Sequence, residues 1–88
     1  MNNVVIVGRI TRFKGNEVMI TVNRNYKDED GGYMSDLIYV CVGMNMAEQM
    51  EKYCKISDVI AVKGRLENRG NIVVVAEKVT FISSKKAE

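Results

Sequence analysis

Histidine and tryptophan are both absent from this chain of 88 residues. Without histidine the commonest general base and metal ligand at neutral pH is missing. Cysteine occurs only twice, at Cys41 and Cys54. With no Cys-x-x-Cys spacing the pair suggests neither a metal site nor a redox site, and it fits a reducing compartment. No carboxylates pair on adjacent strand positions and no nucleophile stands beside a base, so no catalysis is expected, and neither a cofactor nor a metal. Cys41 reads as a buried or interfacial small hydrophobe. There is no long apolar run and no leader-type start, which predicts a cytoplasmic, nucleoid-associated protein that makes no use of a membrane. A large excess of one charge is also lacking: 13 basic against 11 acidic side chains give net +2, so composition alone does not announce a polyanion partner. A chain this short forms one domain and buries only about 60% of its unfolded surface, a core marginal enough that self-association is the expectation.

What the chain does carry is a pattern that occurs twice. Val7-Gly8-Arg9-Ile10-Thr11-Arg12 stands near the start, and Lys63-Gly64-Arg65-Leu66-Glu67-Asn68-Arg69 near the end. Each copy sets a glycine and then an arginine inside a β-favouring run. Glycine in a strand interior marks a bulge, a tight bend at a barrel corner or a close backbone approach. Strongly bent strands with outward cations suggest a small curved barrel that grips a polyanion. Charge distribution agrees: Arg9, Arg12, Lys14, Arg24 and Lys27 face a single acid, Glu17, up to position 27, and Asp28, Glu29, Asp30 and Asp36 follow with no base among them.

Periodicity supplies the elements. Asn3 to Ile10 is a strand whose Val4-Val5-Ile6-Val7 is apolar on both faces, so it needs cover on both, from the barrel interior and from another subunit. Lys14-Gly15-Asn16 is a turn. Glu17 to Asn23 alternates, with Val18, Ile20 and Val22 on one face and Glu17, Met19, Thr21 and Asn23 on the other. Asn25 to Gly32 reads as a polar loop. From Asp36 to Gly43 the alternation puts Ile38, Val40 and Val42 inward and Leu37, Tyr39, Cys41 and Gly43 outward. Met44 to Cys54 shifts to helical spacing, with Met46, Met50, Tyr53 and Cys54 as the apolar stripe of a short helix that plugs the barrel. Asp58 to Glu67 is a strand with Ile60, Val62 and Leu66 inward and Lys63 and Arg65 outward. Gly70-Asn71 fits a two-residue hairpin turn of the II′ kind, and Ile72 to Ile82 is the last strand. The order predicts an all-β fold: a five-stranded barrel of the oligonucleotide/oligosaccharide-binding (OB) type with one short helix between strands three and four. The domain covers 1–82, and 83–88 form a short disordered tail.

The opening Asn2-Asn3-Val4-Val5-Ile6-Val7-Gly8-Arg9-Ile10-Thr11-Arg12 resembles the start of the bacterial single-stranded-DNA-binding proteins. So does Thr21-Val22-Asn23-Arg24 followed closely by Tyr26. Asp36-Leu37-Ile38, Met46-Ala47-Glu48, Tyr53 and Val62-Lys63-Gly64-Arg65-Leu66 continue the family's pattern, to about Ile82. The resemblance implies an OB-fold assembling as a homodimer or homotetramer, with sequence-tolerant binding of single strands and roles in replication, repair and recombination.

Such binding needs a cationic track and aromatic faces. Arg9, Lys63 and Arg65, with Arg12, Arg24, Lys27 and Arg69 at strand ends and loops, are the candidates for phosphate contact, which makes affinity salt-dependent. Tyr26 matches a stacking position of the family, and Tyr39 and Tyr33 are further candidates; Tyr53 and Phe13 read as structural. The chain departs from the family at Leu37 and Gly43, where large aromatics are frequent, and in the short hairpin Arg69-Gly70-Asn71. Each stacked base is worth about 1–3 kcal/mol, so a weaker and more salt-sensitive binder than typical members is expected. Relatives usually end in an acidic tip that recruits other proteins. Here Lys85-Lys86-Ala87-Glu88 closes the sequence, and no tail-mediated recruitment is expected. The alternative is a primosome-type accessory protein acting mainly through protein contacts, favoured by an outward apolar patch of Leu37, Cys41 and Met19, with weak DNA or RNA binding.

Overall fold

The computed structural model describes residues 2–27 and 29–84, and the side chains of Asn25, Tyr26, Lys27 and Tyr33 lie outside what it describes. The elements follow one another as β1 (Val4–Lys14), β2 (Glu17–Lys27), β3 (Tyr33–Cys41), α1 (Met44–Tyr53), β4 (Val59–Asn68) and β5 (Ile72–Ser83). The strands close a barrel in the order β1-β2-β3-β5-β4. All neighbouring pairs are antiparallel except β3 and β5, which run parallel through Val40 opposite Val74 and Cys41 opposite Val75. This is the five-stranded OB barrel, with the helix between β3 and β4.

Two glycines make the closure possible. A Cβ on Gly8 would stand 2.5 Å from the Thr21 carbonyl oxygen, and one on Gly64 would collide with the carbonyl of Val75. β1 turns between two partners: it pairs with β4 over Val4–Arg9 and with β2 over Arg9–Lys14. Bulges sharpen the bends. Thr11 is the extra residue between the Ile10–Ile20 and Arg12–Met19 pairs, and Glu77 the extra one between Lys63–Lys78 and Gly64–Ala76.

The inward faces follow the alternation. Ile10, Val18, Ile20, Val40, Val42, Ile60, Val62 and Val74 are buried, and Ala47 and Met50 of α1 complete the core. At about 1.5–3 kcal/mol for each large side chain buried, this stripe supplies the main driving force for folding. Ile10 is tied across the barrel end: its N–H donates to the Asp58 carbonyl and its own carbonyl accepts from the Ser57 N–H. Asp58 is buried, and its carboxylate accepts from the Lys55 N–H at 2.8 Å, stabilising the turn before β4.

Several local expectations are corrected. β1 extends to Lys14 and β2 to Lys27, because the curled ribbon goes on pairing beyond the apolar run; Lys27 is opposite Tyr33, so Asn25 to Lys27 belong to the strand rather than to the expected loop. Gly43 is not a strand position. It lies at φ 51 as the residue before α1, a backbone shape that favours glycine. Tyr53 is 72% exposed rather than part of the buried stripe, which runs through Ala47, Met50 and Cys54 and leaves Tyr53 on the flank of the last turn. Leu66 keeps its inward parity but is exposed near the barrel mouth. Between β4 and β5 the loop has three residues, since Asn68 opposes Ile72 and the Asn68 side chain caps the Gly70 N–H. The two-residue turn is Gly15-Asn16, closed by Lys14 opposite Glu17, with positive φ at Gly15 as the II′ kind requires. Ser83 belongs to β5, and residues 85–88 of the expected tail lie outside the described residues.

Candidate nucleic-acid interface

An open cleft of about 550 Å³ lies on the outer wall of the barrel. Its floor is β3, with Leu37 and Tyr39 projecting outward and Ile38 beneath them. One rim is the β1–β2 hairpin, through Lys14 and Glu17; the other is the start of β5, from Asn71 to Val74. OB barrels bind oligonucleotides between these two hairpins, on the face of strands two and three. Tyr39 is 46% exposed and Leu37 49%. Tyr39 stands opposite Met19, which is opposite Arg12 in turn, so an aromatic ring, a thioether and a guanidinium cross three strands at one level.

Met19 is only 8% exposed despite its outward parity, and Cys41 is half-buried. The apolar patch expected from Leu37, Cys41 and Met19 therefore reduces to Leu37 beside Tyr39. Met19 stands between Arg12 of β1 and Tyr39 of β3, the two larger side chains at its level.

The expected cations do not form one track. Arg12 and Lys14 lie by the first hairpin. Arg9 and Lys63 belong to another part of the outer wall, where Arg9 donates to the Ser57 carbonyl at 3.0 Å and Lys63 stands opposite Val5. Arg24 makes a two-point ion pair across β2 and β3, its Nη2 2.7 Å from Asp36 Oδ1 and its Nε 3.1 Å from Oδ2. Arg65 and Arg69 both meet Glu67, at 2.6 and 2.9 Å. Among the described residues Arg12, Lys14 and Lys63 carry no ion-pair partner. Tyr26, Lys27 and Tyr33 flank the end of the β2–β3 hairpin by their backbone position, and their side chains lie outside the described residues.

Hydrogen bonding from Arg24 holds the Asp36 carboxyl below its ordinary range, and hydrogen bonds from Arg69 and Arg65 do the same for Glu67. Burial, reinforced by the Asp58 carboxylate, pushes the Cys54 thiol up, away from the thiolate a nucleophile needs. No group of three His, Cys, Asp or Glu among the described residues is arranged to hold a metal, and no described helix is long and apolar enough to cross a membrane.

The sequence reading missed Lys14 and Asn71 as cleft residues, because neither carries a motif and both are brought there by hairpins. It also missed the acids that occupy the arginines. Arg65 and Glu67 stand two apart, which on a strand places them on one face, and that spacing was the available signal; Arg69 reaches Glu67 from the loop.

Comparison with known proteins agrees with this fold. Single-stranded DNA-binding protein 1 of Streptococcus pyogenes is 33% identical, matched over 78% of this chain and 61% of its own length. The single-stranded DNA-binding protein of Streptococcus mutans is 32% identical, over 78% of this chain and 48% of its own. That of Oceanobacillus iheyensis is 31% identical over the whole of this chain and 67% of its own length. The chain thus spans about half to two-thirds of these relatives. No family model matches it. Among solved structures, a mitochondrial single-stranded DNA-binding protein of S. cerevisiae superposes with TM-score 0.75 at 14% identity, covering 96% of this chain and 97% of that one. A Plasmodium falciparum protein in complex with single-stranded DNA gives TM-score 0.72 at 14% identity, covering 94% and 96%. A small single-stranded DNA-binding protein from Streptomyces coelicolor gives 0.66 at 18%, covering 93% and 96%. These structural likenesses bear on the fold, and the sequence relatives on descent: the chain belongs to the bacterial single-stranded-DNA-binding protein family.

Proposed function

We propose that the protein binds single-stranded DNA, without catalysis and with little sequence preference, along the cleft between the β1–β2 and β4–β5 hairpins. The observation that carries this reading is the outward Tyr39 on the floor of an open cleft with Lys14 on its rim. A base stacks on any aromatic face, so recognition by Tyr39 is sequence-tolerant, and Leu37 extends the platform with an apolar contact. Lys14 and Arg12 neutralise phosphates at one end; Arg24 and Lys27, with Tyr26 and Tyr33, serve the β2–β3 hairpin end. Arg9, Lys63, Arg65 and Arg69 extend contact to strand segments leaving the cleft. The binding unit is residues 1–82.

A homodimer or homotetramer completes the proposal. Val5 is 70% exposed and Val7 52%, on a stretch of β1 that pairs with β4 alone and has no β2 ladder partner among the described residues. An unpaired edge carrying apolar side chains invites a second copy. The reading as a mainly protein-binding module loses its support, since Met19 and Cys41 are largely covered.

Titration of fluorescein-labelled oligo-dT followed by anisotropy tests the reading. The wild-type chain is expected to bind at low salt, to prefer oligo-dT over a duplex of the same length, and to weaken as salt rises. Tyr39→Ala is expected to lose about 1–3 kcal/mol of binding. Equal binding by wild type and Tyr39→Ala removes the stacking role, and absence of wild-type binding at low salt overturns the function.

A further inference from the structure

Four side chains of the β4–β5 hairpin form one ion network. Glu67 sits between two arginines: its Oε2 accepts from Arg65 Nε at 2.8 Å and Nη2 at 2.6 Å, and its Oε1 from Arg69 Nε at 3.0 Å and Nη2 at 2.9 Å. The other arm of Arg65, Nη1, donates to Glu77 Oε2 at 3.1 Å. Glu77 is the bulged residue of β5, and the bulge re-aims its side chain toward Arg65. Two guanidiniums and two carboxylates leave the cluster neutral.

This neutral cluster borders the cleft. Glu67 is opposite Val73 and Arg65 opposite Val75; Val73 is a cleft residue, and Arg69 is joined to the cleft residue Asn71 by an N–H···O bond of 2.9 Å. A carboxylate and a phosphate present the same pair of acceptor oxygens to a guanidinium fork, so they compete for the same N–H groups.

We propose that Glu67, assisted by Glu77, is an internal competitor of nucleic-acid phosphate, so that a single strand gains Arg65 and Arg69 only by displacing these carboxylates. The proposal rests on the cleft being the single-strand site. Each exchange swaps one ion pair for another and leaves a carboxylate to gather a cation. Affinity and salt dependence therefore both stay below what the number of cations implies. The device lets a strand dissociate readily from the hairpin while keeping the arginines aligned for the next contact.

The test is oligo-dT titration by anisotropy over a salt series, using the full chain and Glu67→Gln, Glu77→Gln and Glu48→Gln. Glu48 lies exposed on α1, so its substitution makes the same change in net charge away from the hairpin. Glu67→Gln is expected to tighten binding about two- to tenfold at low salt, the range for releasing exposed ion pairs. It should also steepen the slope of log K against log salt by about 0.7 for each arginine released. Glu77→Gln should give a smaller gain in the same direction, and Glu48→Gln less than a twofold change. If wild type binds and Glu67→Gln binds no tighter, with an unchanged slope, the proposal is overturned while the single-strand reading stands. An equal gain from Glu48→Gln also overturns it, because net charge then explains the effect. If neither wild type nor Glu67→Gln binds oligo-dT, both the proposal and the reading beneath it fall. Should Glu67→Gln not fold, Glu77→Gln decides by the same criteria.

Discussion

Gly64 stands where a side chain has no room, and Gly15 where room is ample but the backbone is left-handed. The two positions separate the reasons a chain uses glycine. Gly64→Ala must push a methyl group into the Val75 carbonyl, and it is expected to destabilise by about 1–3 kcal/mol, as overpacked positions do. Urea denaturation checks this as a lowered midpoint with an unchanged slope. Gly15→Ala meets nothing within 4 Å and should cost only the strain of φ +59, about 1–2 kcal/mol. Gly64 was readable in the sequence because a glycine inside an apolar alternating run conflicts with strand propensity unless something needs the space. Met19 was not. Its outward parity is right, but parity does not reveal that the side chain ends up only 8% exposed.

At the scale of elements, the two ion-paired hairpins make stability depend on pH. Asp36 and Glu67 both have carboxyls depressed below their ordinary values of 3.8 and 4.5 by hydrogen bonds from arginine. The folded chain therefore holds fewer protons than the unfolded one. The stabilisation is fully present above the ordinary values and is lost as pH falls through the depressed ones. A melting temperature steady from pH 7 to about 5 and falling below about pH 4.5 is the expected outcome by circular dichroism, with high salt shrinking the effect because both pairs are partly open to solvent. Glu67→Gln should flatten part of that decline. The helix teaches a related lesson. Spacing located α1 to within a residue at either end, yet it assigned Tyr53 to the buried stripe, because a stripe read from a sequence has no defined edge until a partner surface sets it.

For the whole molecule, the exposed valines of β1 are the feature an isolated barrel does not explain. Val5 and Val7 alternate with Ile6, which packs against the core, so β1 is apolar on both sides while one barrel covers only one. The double substitution Val5→Asp with Val7→Asp is expected to reduce the mass found by light scattering to that of a single chain, since charge cannot be buried at such a contact. The monomer should remain folded, as both side chains face away from the core. An unchanged multimeric mass would remove β1 from the interface.

Element order, the closed barrel, the inward faces of β2, β3 and β4 and the kinship with single-stranded-DNA-binding proteins were all set by the amino-acid sequence. They rest on local alternation, glycine placement and order along the chain, which act over a few residues at a time. The grouping of the cations was decided only by tertiary structure. Arg65 holds the same place in the recurring motif as Arg9, yet Arg65 meets two carboxylates and Arg9 a backbone carbonyl. A bulge in β5 brings Glu77 beside Arg65, a three-residue loop holds Arg69 on Glu67, and β3 meets Asp36 with Arg24. Which acid neutralises which base depends on strand register and bulges, and these emerge only when distant segments close one barrel.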